Sequence, residues 1–441
     1  MPSCATAWQR ITSGRCSDGA TTGQRMYCSK LTLINYRNYH RLELELPRSV
    51  SIFHGRNAQG KSNLLEAILL LATTRGYRAT TDRELIHWDT PPPRFARVEG
   101  TVQRRRGTVH VEIVILEQSD LGPAAASGDR PVQKRLKVNG IPRRAIDVVG
   151  QVNVVLFSPE DLELVAGAPA VRRRYLDIML CQIDPHYCRA LQQYNHVVMQ
   201  RNALLRQLGG RASAGSGRRT AAAAGAPSAG MTQLQYWDQQ LVTYGTQVLQ
   251  ARVQALVELS AEAAEAHARL LEPDPAGGEP RHPLRLTYRP SLEAPVELCG
   301  PAEEVRRAYA EHLERIKVRE LQQGVTLVGP HRDDVSISLG GIDMHTYGSR
   351  GQHRTITLAI KLAELRLMER RTGEQPILLL DDVASELDPQ RRAFLLRAIE
   401  QHEQVLLTTS DLGLLDPAFV RRHPRFEVCA GNVTPAPDPL S

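Results

Sequence analysis

The sequence predicts an α/β fold, in which a P-loop head is divided by an inserted, mainly helical lobe. Strand and helix patterns alternate near both ends of the chain. A glycine-rich turn of the phosphate-binding type follows an early strand, and an apolar strand near the C-terminus ends in two carboxylates. Because the two patterns lie on either side of a long helical stretch, one head built from both ends of the chain is expected.

Composition sets wide limits on function. The chain has 441 residues, enough for two or three domains, and its net charge of +7 permits a nucleic-acid partner without requiring one. No apolar run reaches the roughly 18 residues of a membrane span, so no membrane association is expected. Seven cysteines without a C-x-x-C pair predict free thiols and a cytoplasmic location.

The first part of the head is predicted at residues 26–150, after an N-terminal extension at 1–25 that is disordered or precedes the true start. Alternating apolar and polar residues indicate half-buried strands, and Gly-containing dipeptides indicate turns. The predicted elements are strands at 31–35, 41–47 and 51–53, a helix at 61–71, two strands within 94–116 around Arg106-Gly107, and a hairpin at Asn139-Gly140.

The helical lobe is predicted at residues 151–323, with helical periodicity over 162–206 and 232–271. Between these stretches, residues 209–230 are rich in Gly, Ala and Ser, which predicts a flexible insertion. The second part of the head follows at 324–430, before a tail at 431–441. Its predicted elements are strands at 325–328, 334–339, 377–380 and 405–409, and helices at 351–371 and from Pro389.

Residues 55–62 match the pattern G-x-x-x-x-G-K-[ST] in full. Glycines allow backbone N–H groups to surround phosphate oxygens, Lys61 would reach the β- and γ-phosphates, and Ser62 would hold Mg²⁺. An ordinary Gly-rich turn is the alternative, but the preceding strand and following helix favour ATP binding. The predicted ATP-binding residues are Gly55, Arg56, Asn57, Ala58, Gln59, Gly60, Lys61, Ser62 and Asn63.

The strand at 377–380 leads into Asp381 and Asp382. At this position Asp381 would bind Mg²⁺ together with Ser62, and Asp382 would polarise an attacking water as the catalytic acid–base residue. A pair of acids that merely caps the next helix is the alternative. The P-loop pattern in the same domain favours the catalytic interpretation.

Residues 348–352 (GSRGQ) open the helix ahead of that strand. In this order the three motifs resemble those of ABC-type ATPases. The resemblance implies an ATP-dependent homodimer, in which Ser349, Gly351 and Gln352 of one subunit cover the nucleotide of the other, and in which Asp388 lies in the D-loop. Two departures, Asp382 in place of the usual Glu and the residues Thr408, Thr409 and Ser410 in place of the usual His, suggest slow hydrolysis. Gln151 is the nearest candidate for the family's Q-loop glutamine.

The wide separation of Lys61 from Ser349, filled by a compact helical lobe, resembles the RecF family of bacterial recombination mediators. Residues 31–46, 154–177 and 329–334 resemble further strings of that family, and the likeness extends from Met26 to Val428. It implies a protein of recombinational and replication-gap repair that binds double-stranded and single-stranded DNA as an ATP-driven dimer. It further implies that the protein helps load RecA with RecO and RecR.

Clustered basic residues are the candidates for phosphate contacts, which depend on charge rather than on base sequence. For any one of them, a solvated charged surface is the competing interpretation. Arg143, Arg144 and Arg172 to Arg174 form further clusters, and His331 is either a nucleotide or interface sensor or a structural histidine. The predicted DNA-binding residues are Arg104, Arg105, Arg106, Lys134, Arg135 and Lys137.

Three other functions remain open from the sequence. The first is an ABC-type ATPase coupled to a protein or transporter partner without DNA binding, against which the motif separation argues. The second is an ATP-dependent nuclease, which requires a second metal-binding cluster that the sequence does not suggest. The third is a scaffold that binds ATP without turnover.

Overall fold

The computed structural model describes residues 26–117, 132–214, 229–271, 282–293 and 297–436. The predicted extension at 1–25 lies outside these ranges, as do residues 215–228 of the predicted insertion and 437–441 of the predicted tail. The helices before and after the gap at 215–228 run into the predicted insertion, because they include residues 209–214 and 229–230. Within the described ranges, no helix is long and apolar enough to span a membrane.

The described elements alternate between strands and helices at both ends of the chain. The strands are β1 (Tyr27–Tyr36), β2 (Tyr39–Glu45), β3 (Val50–His54), β4 (Phe95–Arg104), β5 (Gly107–Glu117), β6 (Val132–Val138), β7 (Ile141–Arg143), β8 (Val154–Phe157), β9 (Leu284–Arg289), β10 (Asp334–Leu339), β11 (Ile342–Asp343), β12 (Ile377–Asp381), β13 (Val405–Thr409), β14 (Arg425–Cys429) and β15 (Asn432–Pro435). The helices are α1 (Lys61–Thr73), α2 (Ala145–Val148), α3 (Glu163–Ala166), α4 (Pro169–Ile183), α5 (Pro185–Ala214), α6 (Ala229–Leu270), α7 (Ala302–Gln323), α8 (Met344–Tyr347), α9 (Arg350–Thr372), α10 (Val383–Glu386), α11 (Pro389–Ile399) and α12 (Pro417–Arg422).

A six-stranded, mainly parallel sheet in the order β15-β14-β3-β13-β12-β8 forms the centre of the head. All residues of β8, β12 and β13 are buried. Leu379 packs on one face of the sheet, whereas Leu378 and Leu380 pack on the other. Because both faces are covered, these strands are continuous apolar runs, as predicted for 377–380 and 405–409. β8 belongs to this sheet, although the predicted lobe boundary at residue 151 precedes it.

A second, antiparallel sheet in the order β2-β1-β4-β5-β6-β7 covers α1 from the other side. Since α1 lies between two sheets, residues all around it are buried. Gly100 of β4 allows close approach, because a Cβ there would lie 2.4 Å from Leu71 Cδ1. Asn139 and Gly140 both have positive φ (52° and 78°) and form the predicted two-residue hairpin turn.

Helices α5, α6 and α7 pack together in the lobe, and α9 of the head packs along α6. Arg201 of α5 is fully buried and forms ion pairs with Asp238 of α6 and Glu320 of α7. Such a buried cation is tolerated only because its charge and hydrogen bonds are matched. β9 pairs with β10, so the lobe returns to the head through a small antiparallel sheet.

The predicted strand at 325–328 is wrong. The backbone N–H groups of Thr326 and Leu327 donate to the side chains of Asn202 and Glu320, at 2.7 and 2.8 Å, instead of to a neighbouring strand. Arg201 also donates to the Thr326 hydroxyl. Side-chain acceptors from the lobe therefore satisfy this apolar segment, which leaves it without strand pairing.

Candidate functional site

The turn between β3 and α1 requires glycine at two positions. Gly55 has φ 156°, and a Cβ there would lie 2.3 Å from the carbonyl oxygen of Val428 in β14. Gly60 has φ 115°, and a Cβ there would lie 2.5 Å from Asn38 Nδ2. The two glycines of the predicted pattern therefore let the loop pass close to its neighbours.

The turn between β1 and β2 holds this loop by its carbonyl groups. Asn38 Nδ2 donates to the carbonyl of Gln59 at 2.9 Å, and the Tyr39 hydroxyl donates to the carbonyl of Gly60 at 2.9 Å. Asn63 Nδ2 donates in turn to Asn38 Oδ1 at 2.8 Å. This brings residues of the predicted N-terminal string to the predicted ATP-binding loop.

The β14–β15 turn supports the loop from the opposite end of the chain. The N–H of Ala430 donates to Gln59 Oε1 at 2.7 Å, and the N–H of Gly431 donates to the Gln59 carbonyl at 3.2 Å. Gln59 is thus fixed by two hairpins that come from opposite ends of the sequence.

Lys61 extends across the loop. Its ammonium group donates to the carbonyl oxygens of Gly55 at 2.6 Å and Arg56 at 2.9 Å. Burial lowers the pKa of Lys61, although the carboxylates of Asp382 and Asp381 act in the opposite direction. Among the described residues, no carboxylate lies within ion-pairing distance of this ammonium group, so it is suited to an anion with several oxygens.

Ser62 and Asp381, the predicted metal ligands, are in direct contact. Ser62 Oγ donates to Asp381 Oδ1 at 2.8 Å, although the two residues come from distant parts of the sequence. Asp381 is almost fully buried at the end of β12. A hydroxyl and a carboxylate at one point supply the hard oxygen ligands that Mg²⁺ prefers, so the donor set fits this ion.

Two further residues complete the surroundings of Asp381. Thr408 lies opposite it in β13, and its hydroxyl donates to Asp381 Oδ1 at 2.9 Å. Arg78, in the segment after α1, donates from Nη2 to Asp381 Oδ2 at 3.1 Å and from Nε to Glu160 at 3.0 Å. The sequence identified Thr408 only as a departure from a family pattern, and no motif pointed to Arg78.

Asp382, the predicted catalytic residue, has a strained backbone with φ 52° and ψ 26°. Its N–H donates to the Thr408 hydroxyl at 3.0 Å, and its carbonyl accepts from Ser385 Oγ at 2.7 Å. Burial raises the pKa of Asp382. Its Oδ1 is buried and has no hydrogen-bond partner among the described residues, which fits a role in polarising water.

The predicted signature residues lie at the start of α9. Ser349 caps the helix by accepting from the N–H of Gln352 at 3.2 Å, and Gln352 Oε1 accepts from the N–H of Ser349 at 2.8 Å. Gly351 contributes its carbonyl to Thr355 Oγ1 at 2.9 Å. These bonds remain within the helix, and both Ser349 and Gln352 are exposed. The signature therefore presents an exposed surface instead of joining the P-loop of its own chain.

Asp388, the predicted D-loop residue, caps α11. Its Oδ1 accepts from the N–H of Arg391 at 3.0 Å, and its Oδ2 forms an ion pair with the Arg391 guanidinium at 2.7 Å. Gln151, the nearest Q-loop candidate, donates from Nε2 to the carbonyl of Asp147 and accepts Arg104 at its own carbonyl. The side chain of Gln151 thus has a local structural partner.

The predicted DNA-binding residues fall into two groups. Arg104 donates to Glu374 and to the carbonyls of Gly150 and Gln151, and Lys134 donates to Asp82 and to the carbonyl of Thr74. Both side chains are largely buried by these contacts, which leaves them poorly placed for phosphate. Lys137 pairs with Glu112, whereas the exposed residues of the set are Arg105, Arg106 and Arg135.

The other basic residues and His331 also differ in their roles. Arg172 is buried against Asp334, and Arg173 donates to the carbonyl of Asp333. His331 accepts the Tyr194 hydroxyl at Nδ1 and reaches the Thr326 carbonyl from Nε2, which assigns the neutral tautomer with hydrogen on Nε2. Burial lowers the pKa of His331 to about 4. Its contacts are those of a structural histidine that links the lobe to β10.

Comparison with known proteins gives a consistent result. The family described as RecF/RecN/SMC N terminal domain matches residues 27–421. The DNA replication and repair protein RecF of Chloroflexus aurantiacus is 43% identical over 415 residues, covering 92% of this chain and 99% of that protein. The RecF protein of Halalkalibacterium halodurans is 36% identical, with 92% and 99% covered. A solved RecF–ATP structure, described as a recombination mediator of the RecFOR pathway, has a TM-score of 0.78 at 29% identity and covers 95% of this chain and all of that one (100%).

Proposed function

Because this chain belongs to the RecF family of DNA replication and repair proteins, we propose that it is an ATP-controlled DNA-binding switch of recombinational repair. One observation carries the proposal. Ser62 of the P-loop contacts Asp381, and together they would form one half of a nucleotide site. Ser349, at the start of α9, is exposed, and its hydrogen bonds to other described residues all lie within its own helix. A second copy of the chain would supply the missing half, so ATP would join two subunits.

Within each half-site, the residues have separate tasks. Lys61 would exchange its two carbonyl partners for phosphate oxygens, and Ser62 and Asp381 would hold Mg²⁺, which neutralises phosphate charge. Asp382 would take a proton from the attacking water. Its side chain is one methylene shorter than the glutamate usual in ABC-type ATPases, which favours slow turnover. Slow turnover suits a switch that remains closed on DNA for a time.

The surface proposed for DNA lies at one end of the antiparallel sheet. The β4–β5 turn carries Arg105 and Arg106, and the β6–β7 turn lies beside it, since the N–H of Asn139 donates to the carbonyl of His110. Arg143 follows at the end of β7 and is exposed. Among the described residues, none of these three arginine side chains has an acidic partner. Unpaired guanidinium groups of this kind bind phosphates with little sequence preference.

Binding of the purified protein to gapped and fully duplex DNA, with ATP, ADP or no nucleotide, tests the proposal. Light scattering under the same conditions reports the oligomeric state. We expect ATP to produce a dimer that retains DNA, and Lys61→Ala to abolish both effects because a phosphate-binding cation is lost. If ATP dimerises the protein but no DNA is retained at low salt, an ATPase that acts on a protein or transporter partner becomes the better explanation.

Several finer assignments rest on the family and on the names of relatives. The solved relatives are described as part of the RecFOR pathway, so we propose RecO and RecR as partners in loading RecA. A DNA substrate implies action in the cytoplasm. The proposed head at 26–150 and 324–430 also includes β8, so the proposed lobe begins after Phe157 and ends at residue 323.

A further inference from the structure

An ion pair joins the helix that carries the signature to the segment that follows the catalytic strand. Arg354 lies one turn into α9, after Ser349, and its Nη2 donates to Glu386 Oε2 at 2.7 Å. Glu386 is the last residue of α10, which begins directly after Asp382 and leads to Asp388. Within the described ranges, this is the only hydrogen bond or ion pair between α9 and α10.

The ion pair spans a cleft between the two helices. Thr357 and Leu358 line the cleft from α9, and Val383 and Leu387 line it from the other side. The Arg354 guanidinium is therefore the polar connection by which a movement of α9 can reach α10.

The Glu386 end of this link reaches the backbone of Asp382. Ser385, the residue before Glu386, donates from Oγ to the carbonyl of Asp382 at 2.7 Å. Displacement of Glu386 would thus move the segment that holds the backbone of Asp382 in its strained conformation.

We propose that the Arg354–Glu386 ion pair couples the two ATP sites of the dimer. This inference rests on the proposed function, in which Ser349 of one subunit contacts the nucleotide of its partner while Asp382 serves the nucleotide of its own subunit. When Ser349 contacts the nucleotide of the partner, the resulting movement of α9 reaches Asp382, at the other ATP site, through the Arg354–Glu386 ion pair. Arg354 and Glu386 are positioning residues in this scheme, since neither touches the nucleotide.

The size of the expected effect follows from exposure. The side chains of Arg354 and Glu386 are 41% and 36% exposed. Ion pairs this exposed change an equilibrium by roughly two- to five-fold, because water screens both charges. Removal of one charge of the pair will therefore leave the fold intact. Reversal of one charge adds repulsion between residues 354 and 386, so it will slow turnover more than removal does.

The test uses Arg354→Glu, Glu386→Arg and the charge-swapped double variant of the full chain. ATP affinity, the ATP-dependent dimer and single-turnover hydrolysis per dimer are measured for each. We expect ATP affinity to remain within about two-fold of wild type, since the P-loop is unchanged. Hydrolysis per dimer will fall by about five-fold or more in each single variant and recover to within about two-fold in the double variant.

Arg371→Glu, Glu258→Arg and their double variant form a matched control, because this pair also lies on α9 and has similar exposure (39% and 32%) but joins α9 to α6. We expect hydrolysis per dimer to be unchanged in the control. Wild-type hydrolysis rates in both Arg354→Glu and Glu386→Arg, or no recovery in their double variant, would overturn the coupling. Absence of an ATP-dependent dimer in wild type would instead overturn the proposed function. Arg354→Lys, which retains the cation, separates coupling from misfolding and should keep at least half of the wild-type rate.

Discussion

Replacement of Thr408 by valine should destabilise the nucleotide-free protein far more than its conservative chemistry suggests. Thr408 is fully buried, and its hydroxyl donates to Asp381 and accepts the N–H of Asp382. Valine has nearly the same shape but neither donates nor accepts. It leaves the Asp382 N–H without its partner, which costs about 1–3 kcal/mol, and removes a bond to a charged acceptor, which contributes about 1.5–3 kcal/mol.

Asp381 retains Ser62 and Arg78 as donors, so the two costs of Thr408→Val will not add in full. We expect the free energy of unfolding to fall by about 3 kcal/mol. The measurement is the urea midpoint of the ligand-free protein, with the slope of the transition unchanged. Turnover should also slow, because the backbone of Asp382 loses an anchor.

Thr408→Ser is the matched control, since it keeps the hydroxyl and loses only a methyl group, at a cost of about 1 kcal/mol. Equal urea midpoints for Thr408→Val and Thr408→Ser would show that the hydroxyl contributes nothing beyond its volume. In that case, the hydrogen-bonded arrangement of Asp381 and Asp382 could not be credited to Thr408.

Three other variants test separate parts of the molecule. Ser349→Arg should leave ATP binding intact but block ATP-dependent dimerisation, as measured by light scattering; a normal dimer would exclude a role in trans. His331 has its pKa lowered to about 4, so the folded protein should lose about 3 kcal/mol as pH falls from 6.5 to 4, while the unfolded chain takes up the proton. His331→Gln should flatten that dependence in melting scans, and an unchanged slope would contradict it. Arg105→Glu with Arg106→Glu should weaken DNA retention and its salt dependence, whereas Arg421→Glu on α12 should not; equal losses would refute the proposed surface.

The sequence predicted the head where its signals were local. The P-loop pattern and the strand that ends at Asp381 and Asp382 are contiguous, and each fixes both a conformation and a set of side chains. The contact between Ser62 and Asp381 could be expected as well, because strands of one parallel sheet end at the same edge. The alternation of strand and helix patterns at both ends of the chain predicted the divided head and the inserted lobe, independently of the family resemblance.

The DNA-binding residues predicted from clusters of basic residues were less informative. The local sequence does not show which acidic residues, distant in the chain, pair with those basic side chains in the folded protein. Arg104 and Arg105 are adjacent in sequence and equally basic. Glu374, 270 residues from Arg104, binds its guanidinium and accepts only the backbone N–H of Arg105. The same cause explains the missed role of Arg78, because the side-chain partners of its guanidinium, Glu160 and Asp381, lie 82 and 303 residues away in the chain.

Nearly every polar group proposed to serve ATP has a protein partner among the described residues. The Lys61 ammonium group is bonded to two carbonyls, and Asp381 is bonded to Ser62, Thr408 and Arg78. Binding of ATP and of the proposed Mg²⁺ would therefore exchange hydrogen bonds rather than only add them, which lowers the net gain in free energy below the sum of the new contacts. Asp382 Oδ1, without a partner among the described residues, is the exception. The fold thus pairs the groups proposed to bind ATP, whereas Oδ1 of Asp382, the proposed catalytic residue, has no hydrogen-bond partner among the described residues. This arrangement suits the proposed ATP-driven switch, in which hydrolysis would set the time of opening.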